Sequence, residues 1–107
     1  MSKYTEMTHE QVMAACKKYI TADQLAFVES AYQFAARAHE GQTRASGQPY
    51  IVHPIQVAGT LANLGLDPDT VAAGFLHDTV EDTSVTNDDI KEKFGADVAF
   101  IVDGVTK

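Results

Sequence analysis

Helix start and stop signals recur at short intervals along this chain, and they constrain its fold more than any other feature. Thr8 with Gln11 has the spacing of a capping box, in which the two side chains reciprocally satisfy amides of the first turn. Val12, Met13, Cys16 and Tyr19 then fall on one helical face. Thr21 with Gln24 repeats the device, and Leu25, Val28, Tyr32, Ala35 and His39 recur at alternating spacings of three and four. Gly41 suits the left-handed position past a helix end. Residues 41–50, GQTRASGQPY, contain two glycines, a proline and no helical period, and read as a loop. Pro54 fits a first helical position, so a helix is predicted from near His53 to Gly65. Asp67 and Pro68 open another, which runs through HDTVEDT; Thr86 caps the next, and Gly95 ends it. A further helix opens in ADVAFIVDGVTK. The pattern gives five helices plus the start of a sixth and no convincing strand, an all-α domain.

The length of 107 residues suffices for one domain with one core. With 45% hydrophobic and 21% charged residues the chain reads as globular. Eight Lys and Arg face fifteen Asp and Glu, a net charge of −7 that argues against nonspecific binding to nucleic acid or to an anionic membrane. It leaves room for an anionic substrate held by a metal and a few local cations. The only cysteine, Cys16, rules out a disulfide within the chain and reads as a buried structural thiol. No apolar run reaches membrane-spanning length and the N-terminus lacks a signal-peptide pattern, so a cytoplasmic location is expected. The chain starts at a methionine and stops inside a helical pattern, which suggests the N-terminal part of a longer protein.

The stretch FLHDTVEDT, residues 75–83, places four ionisable side chains directly after an apolar run. On one continuous helix His77 and Glu81 would stack a turn apart, as would Asp78 and Asp82. Such a helix offers a nitrogen and an oxygen ligand to one cation, with two more carboxylates a turn further on. That combination suits metal-assisted hydrolysis, in which a cation acidifies water and carboxylates orient it and move protons. Antiparallel packing of the neighbouring helices would bring His53, at the start of one, to His77 and Asp78, near the end of the next. The set His53, His77 and Asp78 is compatible with Mn, Fe, Zn or Co without choosing among them. Carboxylates near a helix C-terminus also oppose the helix dipole, so a nearby cation would offset a conflict. His39 completes an apolar face and reads as a packed histidine, and Tyr50 as core packing.

AARAHEGQTRASGQPYIVHP followed by GFLHDTVEDTSVT resembles the hydrolase domain of the Rel/Spo family, the bacterial (p)ppGpp synthetase/hydrolases, within the HD superfamily of metal-dependent phosphohydrolases. The resemblance runs from about Ala31 to Lys107, and three motifs agree in order and spacing. It implies an HD-type helical bundle, here truncated, with residues 1–107 as the N-terminal part of a single hydrolase domain. It further implies Mn²⁺ as cofactor, held by His53, His77, Asp78 and a further Asp that lies beyond residue 107. Glu81 and Asp82 would activate the attacking water. Arg44 would pack on the guanine base and Ser46 lie close to the nucleotide. The reaction implied removes pyrophosphate from the 3′ position of ppGpp or pppGpp, giving GDP or GTP. Family members usually carry a Lys after the loop Arg, where this chain has Ala45, so one cation near the phosphates is lost.

The leading expectation is therefore a (p)ppGpp hydrolase domain from a bifunctional parent, with little activity from these residues alone. Its partner would be a guanine nucleotide, with no direct nucleic acid or membrane partner, and apolar surface exposed by truncation would favour self-association. Two alternatives stand beside it: a catalytically silent regulatory or interaction module of a (p)ppGpp synthetase, and an HD phosphohydrolase acting on another nucleotide.

Overall fold

A computed structural model describes residues 7–43, 47 and 50–105. Its elements are α1 (His9–Lys17), α2 (Ala22–Ala38), α3 (Val52–Asn63), α4 (Pro68–Leu76), the single turn α5 (Thr79–Asp82), α6 (Asn87–Phe94) and α7 (Ala96–Val105). Among the described residues there is no β-strand, and the chain is all-α. Thr8, Thr21 and Thr86 each form a complete capping box, with Gln11, Gln24 and Asp89 as partners. Asp67 caps α4, with Pro68 in its first turn. Gly41, Gly65 and Gly95 have φ of 86°, 74° and 99°, a backbone conformation that disfavours side chains, and each ends a helix.

α4 is the central element. Val71, Ala72, Ala73, Phe75 and Leu76 are all buried, so this helix is covered on every side rather than along one stripe. It packs against α2, α3 and α7. Val28, Ala31 and Ala35 come from α2, Ile55, Ala58 and Ala62 from α3, and Val98, Ala99 and Val102 from α7. The many alanines let the axes approach closely. At Gly74 an added Cβ would lie 3.2 Å from the Ala58 Cα, so glycine permits the α3–α4 contact. Around this layer, the Tyr32 ring meets Phe75 edge-on at 5.5 Å, and Phe94 meets Phe27 and Phe34 in the same way. Cys16 is buried, and desolvation pushes its thiol up, as a structural role requires.

One element departs from the sequence pattern. The helix that opens at Asp67 does not run unbroken to Thr83; α4 ends at Leu76, and α5 starts at Thr79. The cause is local hydrogen bonding. The buried Thr79 hydroxyl donates to the Leu76 carbonyl at 2.8 Å, and the His77 ring takes the Gly74 carbonyl. Two carbonyls of the last turn are thus satisfied by side chains, and the chain can turn at Asp78. The result is seven helical segments among the described residues, where the pattern suggests six.

Candidate metal centre

α3, which begins at Val52 so that Pro54 is its third residue rather than its first, packs against α4. Their packing brings the first turn of α3 to the last turn of α4, as their order predicts. The His53 and His77 ring centroids lie 5.4 Å apart. His53 Nε2 is 3.4 Å from Asp78 Oδ2, and His77 Nε2 is 3.2 Å from Asp78 Oδ1. Both imidazoles therefore address one carboxylate, and all three residues offer a ligand atom within 4.8 Å of one another.

The tautomer of His77 can be read from its partner. His77 Nδ1 lies 2.8 Å from the Gly74 carbonyl, which can only accept, so Nδ1 carries the proton and donates. In the neutral ring Nε2 then turns a lone pair toward a carboxylate oxygen at 3.2 Å. Two acceptors facing each other repel unless a proton or a cation lies between them. The Nδ1–H to carbonyl bond is also the arrangement that commonly orients a metal-ligating histidine. Two imidazoles and a carboxylate suit a divalent transition metal, and the three residues present fit that group.

Of the two carboxylates beyond the centre, Asp82 is also held. Among the described residues no Lys or Arg forms an ion pair with Asp78, Glu81 or Asp82. Asp82 keeps its one-turn relation to Asp78, since the Asp82 amide donates to the Asp78 carbonyl at 2.9 Å. Tyr50 donates its hydroxyl to Asp82 Oδ2 at 2.8 Å and lies 3.2 Å from Asp78 Oδ2. Burial, the hydrogen bond to Asp82 and the Asp78 charge push its phenol far above the ordinary value, so it remains a donor. Glu81 is exposed on the same turn.

Tyr50 was expected to pack in the core, and the structure gives it a further part. It is half-buried, stacks on His39 with centroids 4.7 Å apart, and turns its hydroxyl to the acidic residues. Gln42 is the second addition, donating its side-chain amide to the Asp82 carbonyl at 2.7 Å. Neither residue sits in a periodic pattern. The one available signal for Tyr50 is its position three residues before His53, in the chain that leads into α3. His39 is packed as expected, 2% exposed, with Nδ1 2.9 Å from Gln42 Oε1. Gln42 and Tyr50 meet, the Tyr50 amide donating to the Gln42 carbonyl at 3.0 Å, and both rest on Asp82. Arg44, Ala45 and Ser46 lie outside the described residues. Asp97 and Asp103 are not in the metal-ligating group found among the described residues.

Comparison with known proteins agrees with this geometry. Residues 31–107 match the family model described as HD domain. The chain is 51% identical over 83 residues to a GTP pyrophosphokinase of Myxococcus xanthus, covering 78% of this chain and 11% of that protein. It is 48% identical over 91 residues to a guanosine-3′,5′-bis(diphosphate) 3′-pyrophosphohydrolase of Vibrio cholerae, covering 85% of this chain and 13% of the relative. It is 46% identical over 98 residues to the bifunctional (p)ppGpp synthase/hydrolase SpoT of Escherichia coli K12, covering 92% and 14%. The chain thus spans about an eighth of the length of these curated relatives. An all-α fold, the paired histidines with Asp78, and a family match over most of the length agree: the chain belongs to the HD domain family, with the hydrolase domains of the Rel/Spo proteins.

Proposed function

We propose that these residues form the metal-binding part of a hydrolase that removes pyrophosphate from the 3′ position of (p)ppGpp. Water is consumed, and GDP or GTP and pyrophosphate are released. The observation that carries this reading is the convergence of His53 Nε2 and His77 Nε2 on the two oxygens of Asp78. His53, His77 and Asp78 would hold the ion, which the resemblance implies to be Mn²⁺. When bound, such an ion acidifies a water and stabilises charge on phosphoryl oxygens.

The chain's own residues would do the rest. Gly74, through its carbonyl, keeps the His77 lone pair directed at the centre. Asp82 and Glu81, one turn beyond Asp78, would orient the water and accept its proton. The resemblance gives Arg44 the guanine base and Ser46 the nucleotide; the meeting of Gln42 and Tyr50, which flank these residues in sequence, at Asp82 supports a nucleotide on that side. The setting we propose for it is a cytoplasmic protein that also makes (p)ppGpp; the name of the Escherichia coli relative, a bifunctional synthase/hydrolase, supports the second part.

The test replaces the matching segment of the Vibrio cholerae relative with this sequence and measures Mn²⁺-dependent release of pyrophosphate from ppGpp. The chimera is expected to hydrolyse ppGpp. His77→Ala or Asp78→Ala should lower the rate at least about 100-fold, beyond what losing an outer-shell partner costs. A His77→Ala chimera as fast as the parent would sink the hydrolase reading. A chimera that binds Mn²⁺ yet leaves ppGpp intact would favour the silent-module alternative.

A further inference from the structure

We propose that Tyr50 is a positioning residue, with Gln42 as its second point of attachment: together they hold Asp82 over the metal centre. The proposal rests on the hydrolase reading above and deepens it.

Asp82 is exposed on a one-turn helix, and no Lys or Arg among the described residues pairs with it. An exposed aspartate samples several rotamers, and the nearby Asp78 carboxylate would repel it. Two donors oppose this. Tyr50 binds the side chain, at 2.8 Å to Oδ2, and Gln42 binds the main chain, at 2.7 Å to the carbonyl. A phenol has one proton to share between two carboxylates. The bond to Asp82 is shorter than the 3.2 Å approach to Asp78, so Asp82 takes the larger share. The Tyr50 hydroxyl thus serves the water-orienting carboxylate more than the metal ligand.

Both donors are themselves fixed. The Tyr50 ring stacks on buried His39 at 4.7 Å and meets the His53 ring edge-on at 6.3 Å. The Gln42 amide nitrogen donates to Asp82, so its oxygen is left to accept from His39 Nδ1 at 2.9 Å. The Tyr50 amide closes the ring of contacts by donating to the Gln42 carbonyl. His39, which the sequence pattern treats as packing alone, is the post on which both donors are mounted.

The decisive variant is Tyr50→Phe, which keeps the stacked ring and removes only the donor. In the chimera, kcat should fall about 10-fold, the scale for losing an outer-shell partner, while KM for ppGpp stays within about twofold. Mn²⁺ affinity of the 107-residue chain without nucleotide, read by electron paramagnetic resonance, should stay within about threefold, because the three ligands are untouched. Gln42→Ala, which alters no ring, should give the same loss of kcat with the same Mn²⁺ affinity. An unchanged kcat in Tyr50→Phe would overturn the proposal. So would a parallel fall of kcat, Mn²⁺ affinity and Tm, which would make Tyr50 a packing residue. A fall in Mn²⁺ affinity at constant kcat would also overturn it, since the hydroxyl would then serve Asp78. The His77→Ala control separates these results from failure of the hydrolase reading: if that variant remains active, the reading itself falls, whatever Tyr50→Phe does.

Discussion

Asp67 accepts from the Thr70 hydroxyl at 2.7 Å and from the Thr70 amide at 3.2 Å, and these bonds hold its carboxyl below the ordinary value of 3.8. A folded-state pKa below the unfolded one means that the charged cap stabilises fully above the unfolded value. That stabilisation is lost as pH falls through the lower, folded value. Asp67→Ala should therefore cost about 1 kcal/mol at neutral pH, lowering Tm by about 4–8 °C, and the difference from the parent should shrink in acid below pH 3.8. Thermal melts of both proteins across the acid range would check it; a constant difference down to the lowest pH would show that the cap's charge contributes nothing. Caps such as Asp67, Thr8, Thr21 and Thr86 were legible in the sequence because donor and acceptor lie within four residues of each other. Tyr50 and Asp82 are 32 residues apart and share no period, so nothing local in the sequence pairs them. His53 with His77 was legible despite its range, since one proline and one acidic motif fixed the ends of two neighbouring helices.

At the scale of elements, the metal-ligating set depends on how closely α3 approaches α4. Gly74 lies in that contact, where an added Cβ would be 2.8 Å from Leu61 Cδ1 and 3.2 Å from the Ala58 Cα. A leucine methyl can swing away, whereas a backbone carbon cannot. Alanine is the better helix former by up to about 1 kcal/mol, but overpacking a close helix contact costs about 1–3 kcal/mol, so packing decides the sign. Gly74→Ala should therefore lower Tm and, by shifting α3 against α4, weaken Mn²⁺ binding through the altered distance from His53 to His77. Gly59 supplies the contrast, because there the nearest atom to an added Cβ is the mobile Met7 sulfur. Gly59→Ala should leave Mn²⁺ affinity unchanged; equal effects of the two substitutions would refute the packing account. The break between α4 and α5 is the feature the pattern hid. PDTVAAGFLHDTVED carries no glycine or proline between residues 75 and 82, and the interruption coincides with the bond from the Thr79 hydroxyl to the Leu76 carbonyl, made by a residue type that is ordinary inside helices. The consequence for the site is small, because the Asp78–Asp82 turn survives the break.

For the whole molecule, the decisive property is that its candidate ligands come from the ends of two helices that meet only when the core is formed. α4 is the buried centre of that core, and His77 and Asp78 follow directly from its last turn. An ion held by His53, His77 and Asp78 would bind the folded chain and not the unfolded one, and its binding energy would add to folding stability. At a free Mn²⁺ concentration one hundred times Kd the gain is about 2.7 kcal/mol, which for a domain of this size raises Tm by roughly 10 °C. The net charge of −7 complicates a simple reading, because an acidic surface collects divalent cations without a site. Two controls separate the contributions. Mg²⁺ prefers oxygen ligands in octahedral geometry, so it should reproduce the surface effect and little of the site effect. His77→Ala leaves the surface charge almost unaltered and should lose the Mn²⁺-specific rise. Differential scanning calorimetry of parent and variant, with Mn²⁺, Mg²⁺ and chelator, measures all of this directly. Equal rises for the two ions, or a rise that survives His77→Ala, would assign the stabilisation to the acidic surface rather than to a centre built from the ends of α3 and α4.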